Sequence, residues 1–356
     1  MTYVRARLQA SALATTAALL LASCSLAGGD DESAGDDGAP STEVVLVTHE
    51  SFALPEELIA QFEADTGLTL TVRASGDAGT LTNKLVLTQD SPTGDVAFGV
   101  DNTFASRALD EGVFAPYAPE LPAGAEDYAL AGDDDHLTPV DTGNVCVNVD
   151  DTWFAAEGIT PPATLDDLVD PAYRDLAVIP GATTSSPGMA FLLATVAAYG
   201  EGWPDYWADL MANGAKLTDG WSDAYQVDFT QGGGAGDRPI VVSYDSSPAF
   251  TVDGQGGTTT SALLDTCFRQ VEYAGVLAGA ENPEGAEQVV DWLLSDEVQA
   301  ALPDSMYVYP VAADAPLPAD WETFAPRGDG AYDVDPASID ENRDAWLREW
   351  SDVTSR

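Results

Sequence analysis

The chain has 356 residues, 60 of them Asp or Glu against 13 Lys or Arg, which gives a formal charge of −47. Its only lysines are Lys84 and Lys216, so the clustered cations that neutralise phosphates are missing, which argues strongly against a nucleic-acid partner. Such a charge keeps a chain soluble and concentrates cations near its clefts. Most of these acids still read as solvated surface, and net charge alone names no ligand.

Arg5 and Arg7 precede an uncharged run, 8–23, that includes Leu19, Leu20 and Leu21. That is a secretory signal, shorter than the roughly 20 apolar residues of a membrane-spanning helix. It ends in Leu21-Ala22-Ser23-Cys24, which resembles a bacterial lipobox. The resemblance implies a signal peptide over 1–23, cleavage before Cys24, lipid on its thiol, and an exported protein anchored at the outer face of the cytoplasmic membrane. Residues 25–41 are mostly Gly, Ala, Ser and Asp without apolar periodicity, so 24–42 reads as the lipidated Cys and an acidic flexible tether. Once Cys24 is lipidated, Cys146 and Cys267 remain, and an even pair in an exported chain is expected to form a disulfide. Its closure would be worth roughly 4–5 kcal/mol in the chain-entropy model. Two buried free thiols are the alternative.

The remaining roughly 310 residues suffice for two globular lobes. Residues 44–47 read as a buried strand. A helix opens at Pro55 with Glu56 and Glu57 in its first turn, keeps Leu58, Ile59 and Phe62 on one face, and stops at Gly67. Residues 68–72 form a second strand, 79–87 a helix, 95–100 a third strand and 103–109 another helix. Strand and helix alternate as βαβ units, so a parallel sheet covered by helices is expected, with ligands at the carboxyl ends of its strands. His49 with Glu50, the turn Ser75-Gly76-Asp77, and Asp101-Asn102 fall there. Farther on, 165–168 is helical and 176–179 a strand. The turn Thr184-Ser185-Ser186-Pro187-Gly188 precedes an apolar helix over 189–199, its two hydroxyls placed as caps or as ligand contacts. The strand 240–244 ends in Asp245-Ser246-Ser247-Pro248, and with Trp221 it offers the parts of an aromatic, acid-lined pocket. The Gly-rich stretch 232–236 reads as a surface hairpin. The segment from Asp335-Pro336 is a helix with Ile339, Trp346 and Trp350 on a core face.

These residues resemble the thiamine-binding component of bacterial thiamine importers. The likeness runs through Thr48-His49-Glu50-Ser51-Phe52, Thr184-Ser185-Ser186-Pro187-Gly188, Gly220-Trp221-Ser222-Asp223-Ala224-Tyr225, Ser243-Tyr244-Asp245-Ser246-Ser247-Pro248-Ala249-Phe250 and Tyr307-Val308-Tyr309-Pro310-Val311. It implies the α/β, two-lobed, type II (transferrin-like) periplasmic-binding-protein fold, each lobe a mostly parallel sheet flanked by helices, with the ligand cleft between lobes. Lobe 1 would take 43–140 and 245–312, lobe 2 would take 141–244, and 313–356 would be a C-terminal helical segment. It also implies ligand contact from His49, Asp77, Ala78, Ser185, Ser186, Trp221, Tyr244, Asp245, Ser246, Ser247 and Tyr307. The implied ligand is thiamine or its phosphates, with no cofactor, and the protein would serve as a monomer delivering it to an ABC permease. His49, Ala78, Asp245 and Tyr307 depart from the commonest family residues. A thiazolium cation suits aromatic faces at roughly 0.5–2 kcal/mol each, plus a carboxylate. A polyamine or ferric-iron binder of the same fold is the alternative, the iron reading weakened by Val308 between Tyr307 and Tyr309. With His49 and His136 as the only histidines and no Gly-x-Ser-x-Gly elbow, an enzyme is not expected. His136 after Asp133-Asp134-Asp135 reads as an acidic loop.

Overall fold

The computed structural model describes residues 41–133, 135–328 and 332–356. The signal peptide, Cys24 and nearly all of the tether lie outside the described residues. Three parallel strands start the body: β1 (Glu43–Thr48) pairs on one side with β2 (Thr69–Ala74) and on the other with β3 (Val96–Asp101). Between them run α1 (Glu56–Thr66) and α2 (Ala78–Leu87), followed by α3 (Ala105–Asp110). Helix α1 starts behind Pro55 with two acids at its positive end, and Gly67, at φ 74°, takes the left-handed turn that ends it.

A second parallel group is built the same way. Strand β5 (Ala177–Pro180) lies between β6 (Lys216–Thr218) and β7 (Ile240–Tyr244), with α4 (Asp151–Glu157), α5 (Ser186–Tyr199) and α6 (Trp203–Ala212) in this half of the chain. Two long antiparallel strands, β4 (Thr138–Asp150) and β8 (Thr260–Val276), join the groups, so hydrogen bonds run unbroken through β2-β1-β3-β8-β4-β7-β5-β6. Strand β9 (Tyr309–Pro310) adds to β4. The remaining helices are α7 (Pro283–Leu293), α8 (Asp296–Met306), α9 (Trp321–Phe324) and α10 (Pro336–Thr354).

Each group has its own apolar core, and these cores are the two lobes. In the first, Val44, Leu46, Phe98, Val276 and Val289 pack under α1 and α7, while Leu81, Val100 and Phe114 cover the opposite face of the sheet. In the second, the apolar helix α5 is surrounded by Val147, Ile179, Trp207 and Val242. Helix α10 closes this core: Ile339 and Trp350 are buried, and the Trp350 ring meets Trp207 edge-on at 5.6 Å. Cys146 on β4 and Cys267 on β8 are joined as a disulfide across the shared strands.

The Gly-rich stretch is not a hairpin. Its flanks, Phe229 and Arg238, pair in parallel, so the chain loops back beneath the preceding turn instead of reversing beside it. A side chain at Gly232 would place Cβ 1.6 Å from the Tyr225 carbonyl oxygen, so close backbone packing demands glycine there.

Candidate ligand-binding site

A cavity of about 360 Å³ opens between the lobes, where the carboxyl ends of the parallel strands converge. Its lobe 1 wall starts where β1 ends. His49 is buried with its ring beside Gly99, whose φ of 100° coincides with a bulge in β3; a Cβ there would lie 2.1 Å from the imidazole. His49 accepts at Nδ1 from the Ser51 N–H (3.1 Å), and its Nε2 stands 3.5 Å from Glu272 Oε2 on β8. Burial works against charging this imidazole, but Glu272, Asp77 and Glu50 outweigh it and raise its pKa. Asp77 caps α2 by accepting from the Ala78 N–H, and its other oxygen accepts from the Trp221 N–H of lobe 2 at 2.8 Å. The Thr80 N–H likewise reaches the Thr184 carbonyl (3.1 Å), so the lobes meet through direct hydrogen bonds.

The lobe 2 wall is aromatic. Residues 223–228 form a π-helical turn, and this wider winding stacks Trp221 on Tyr225 at 5.0 Å and 13°. Trp221 donates its indole N–H to Ser243 (2.9 Å), while Tyr244 tilts towards it at 6.3 Å. Ser247 is fixed by Ser243 (2.8 Å) and accepts from the Tyr244 N–H. Phe250 and Tyr307 meet edge-on at 5.2 Å at another part of the rim.

Of the sequence-predicted residues, His49, Asp77, Ser186, Trp221, Tyr244, Ser247 and Tyr307 line this cavity. Ala78, Ser185, Asp245 and Ser246 are buried off its wall. Ser185 occupies the cap position of α5, yet its hydroxyl makes no capping bond. Ser186, instead of capping, donates to buried Asp101. Asp245 accepts from the N–H and the side-chain amide of Asn144 and from the Gly328 N–H, and Ser246 donates to the Tyr307 carbonyl (2.5 Å). Asn102 clips β8 by accepting from the Val271 N–H. His136 is held by Asp133 and Asp135 as part of its own loop.

Sequence reasoning missed Glu272, and it assigned no role to Tyr225 or Phe250, although both stand within the quoted motifs. Glu272 is 5% exposed, on the cavity wall, and in lateral register with Asp101 of β3 and Asp141 of β4. Burial pushes the Asp101 carboxyl up to about 6, against the donors Ser186 and Thr103. Burial and then Glu272 hold Asp141 well above the carboxylate range. For Glu272 itself burial raises the pKa, but His49 together with hydrogen bonding from Asp141 and Gln270 lowers it overall. The available signal is period two in Gln270-Val271-Glu272-Tyr273, which marks a strand with one polar face but not whether that face meets a cleft or bulk water.

Residues 91–329 match the bacterial extracellular solute-binding protein family. The chain belongs to this family. Among relatives of this solute-binding protein, the thiamine-binding periplasmic protein of Escherichia coli is 28% identical over 319 residues, covering 88% of this chain and 94% of the relative. A solved structure described as a periplasmic thiamin binding protein superimposes with a TM-score of 0.76 at 28% identity, covering 88% of this chain and 96% of the other. Iron uptake protein A1 of Synechocystis is 24% identical over 335 residues, covering 90% and 88% respectively. Among the described residues of this solute-binding protein, no helix is long and apolar enough to cross a membrane.

Proposed function

We propose that this solute-binding protein captures thiamine in the interlobe cavity and hands it to a membrane ABC permease, acting by binding and not by catalysis. One observation carries the reading: a stacked aromatic wall, Trp221 on Tyr225, shares a cavity with a buried carboxylate, Glu272. A flat, permanently cationic heterocycle is the solute that uses both, ring face to ring face and charge to charge. The thiamine-binding relatives support the same ligand. His49, Asp77, Ser186, Tyr244, Ser247 and Tyr307 would complete its surroundings, and thiamine phosphates are included as candidate ligands. Iron is less well served, because Tyr309 is buried and gives its hydroxyl to the Ala325 carbonyl, leaving Tyr307 at the cavity without it.

Lipidation at Cys24 would keep this monomeric receptor at the membrane beside its permease. Cys24→Ala should leave an unlipidated precursor, read as a changed acyl mass and loss from the membrane fraction.

Titration calorimetry with thiamine, run beside thermal melts, tests the ligand. Wild-type protein should bind thiamine, and Trp221→Ala should cost roughly 1–3 kcal/mol of binding, about tenfold to a hundredfold, through lost stacking. A protein that ignores thiamine but binds spermidine or ferric citrate has another ligand.

A further inference from the structure

The row Asp101, Glu272 and Asp141 sets three carboxyl groups abreast on the adjacent strands β3, β8 and β4, all buried. Asp101 is satisfied: it accepts from Ser186, from the Thr103 hydroxyl (2.8 Å) and from the N–H groups of Thr103 and Phe104. Asp141 is not. Among the described residues neither of its oxygens receives a donor, and its lateral neighbour is Glu272, another acceptor. Two ionised carboxylates cannot share such a site; one must carry a proton and give it to the other as a hydrogen bond. On the cavity side of Glu272 the basic neighbour is His49, whose Nε2 stands within ion-pair range at 3.5 Å but makes no hydrogen bond among the described residues. The other titratable groups facing these residues are Asp77, Glu50 and the Tyr244 hydroxyl, none of them a cation. His49 offsets one of these acids, so the cleft floor carries an excess of negative charge that its own residues do not neutralise.

We propose that Glu272 is the anionic partner of the bound cation and that Asp141, in register beside it, holds a proton which it releases when the cation arrives. This rests on the thiamine reading above. Glu272 faces the cavity and touches the solute; Asp141 acts through Glu272, as a positioning residue that offsets charge while the cleft is empty. The sign follows from electrostatics. A fixed positive charge beside Glu272 favours ionisation of the carboxyl behind it, so binding expels a proton and tightens as pH rises. Any proton lost from His49 acts in the same direction.

The test is calorimetry of the whole protein with thiamine in buffers of different ionisation enthalpy, between about pH 6 and 8, with the ligand's own titration subtracted. The expected result is release of up to about one proton and affinity rising up to about tenfold per pH unit. Glu272→Gln should lose about tenfold or more in affinity together with the proton release. Asp141→Asn keeps a donor towards Glu272, as the protonated acid does, so it should still bind while its proton release and pH slope shrink. Undiminished release in Asp141→Asn overturns the assignment to Asp141. If wild type binds thiamine with equal heats in all buffers and a flat pH profile, this inference falls and the thiamine reading stands. If thiamine gives no heat in any buffer, the ligand reading falls and this inference with it. Should Glu272→Gln not fold, the wild-type and Asp141→Asn series decide alone.

Discussion

Asp245 and Asp141 both lie fully buried beside the long strands, one just past the carboxyl end of β7 and the other within β4. Asp245 collects three donors, two from Asn144 and one from the Gly328 N–H, and with them it ties β4 to the loop behind α9. Asp141 collects none among the described residues and leans on a second acid. The difference teaches how to read a buried carboxyl. One whose oxygens are filled by backbone and amide donors is a structural tie, whereas one left wanting donors next to a cavity is poised for something that arrives later.

The largest effect expected from this contrast is on folding. Asp245→Ala removes the acceptor of the Asn144 and Gly328 N–H groups and leaves the Asn144 side-chain amide only the Gly328 carbonyl, which should cost about 3–5 kcal/mol of stability. A thermal melt beside a thiamine titration distinguishes the roles: Tm should fall sharply, and the folded fraction should bind as wild type does. Weakened binding at unchanged Tm would place Asp245 in the site after all and erase the contrast.

A smaller effect is expected from the disulfide between Cys146 and Cys267, which pins β4 to β8 beyond the rungs that carry the two acids. Replacing both by Ser should cost roughly 2–4 kcal/mol. Because the Asn144 and Asp141–Glu272 rungs both lie away from the bridge, to one side of it, the loss should appear in stability more than in affinity. Peptide mapping that finds both thiols free in the exported protein would remove the bridge and this expectation together.

Much of the architecture is legible because local signals and the fold agree. The first-turn acids and stop glycine of α1, and the Asp335-Pro336 start of α10, mark helices that the structure contains within a residue or two. The parallel strands β1, β3 and β7 are continuous apolar runs, as strands covered on both faces must be. Strands β4 and β8 are harder. Each is long, broken by bulges, and alternates apolar residues with Thr, Asp, Asn, Gln and Glu that elsewhere would mark a solvent face. In this fold Glu272 of that polar face lines the interlobe cavity while the polar residues of β4 are buried, and no local rule distinguishes either setting from bulk water. Glu272 and Asp141 are missed for that reason. The strand-end motif at 243–250 points to the right neighbourhood, yet it does not tell which of its side chains look inward. Tyr244 and Ser247 do, whereas Asp245 and Ser246 turn into the protein.

The smallest effect is the one that separates the two acids most cleanly, because it depends on pH and not on packing. Burial and Glu272 hold the folded-state pKa of Asp141 well above that of the unfolded chain. Below the ordinary carboxylate range the group is protonated in both states and imposes no penalty. As pH rises past about 4 the unfolded chain ionises first, and native stability is withdrawn until the folded carboxyl ionises as well. Asp101, raised for the same reason, behaves alike, but its contribution is common to both proteins compared. Asp141→Asn cannot ionise, so its Tm minus that of wild type should start near its lowest value at about pH 4 and climb towards neutrality. A flat difference would mean that Asp141 is already ionised in the folded protein. Glu272 would then stand beside a second negative charge with no proton between them, and the carboxyl row would be a tie of the Asp245 kind whose donors come from solvent.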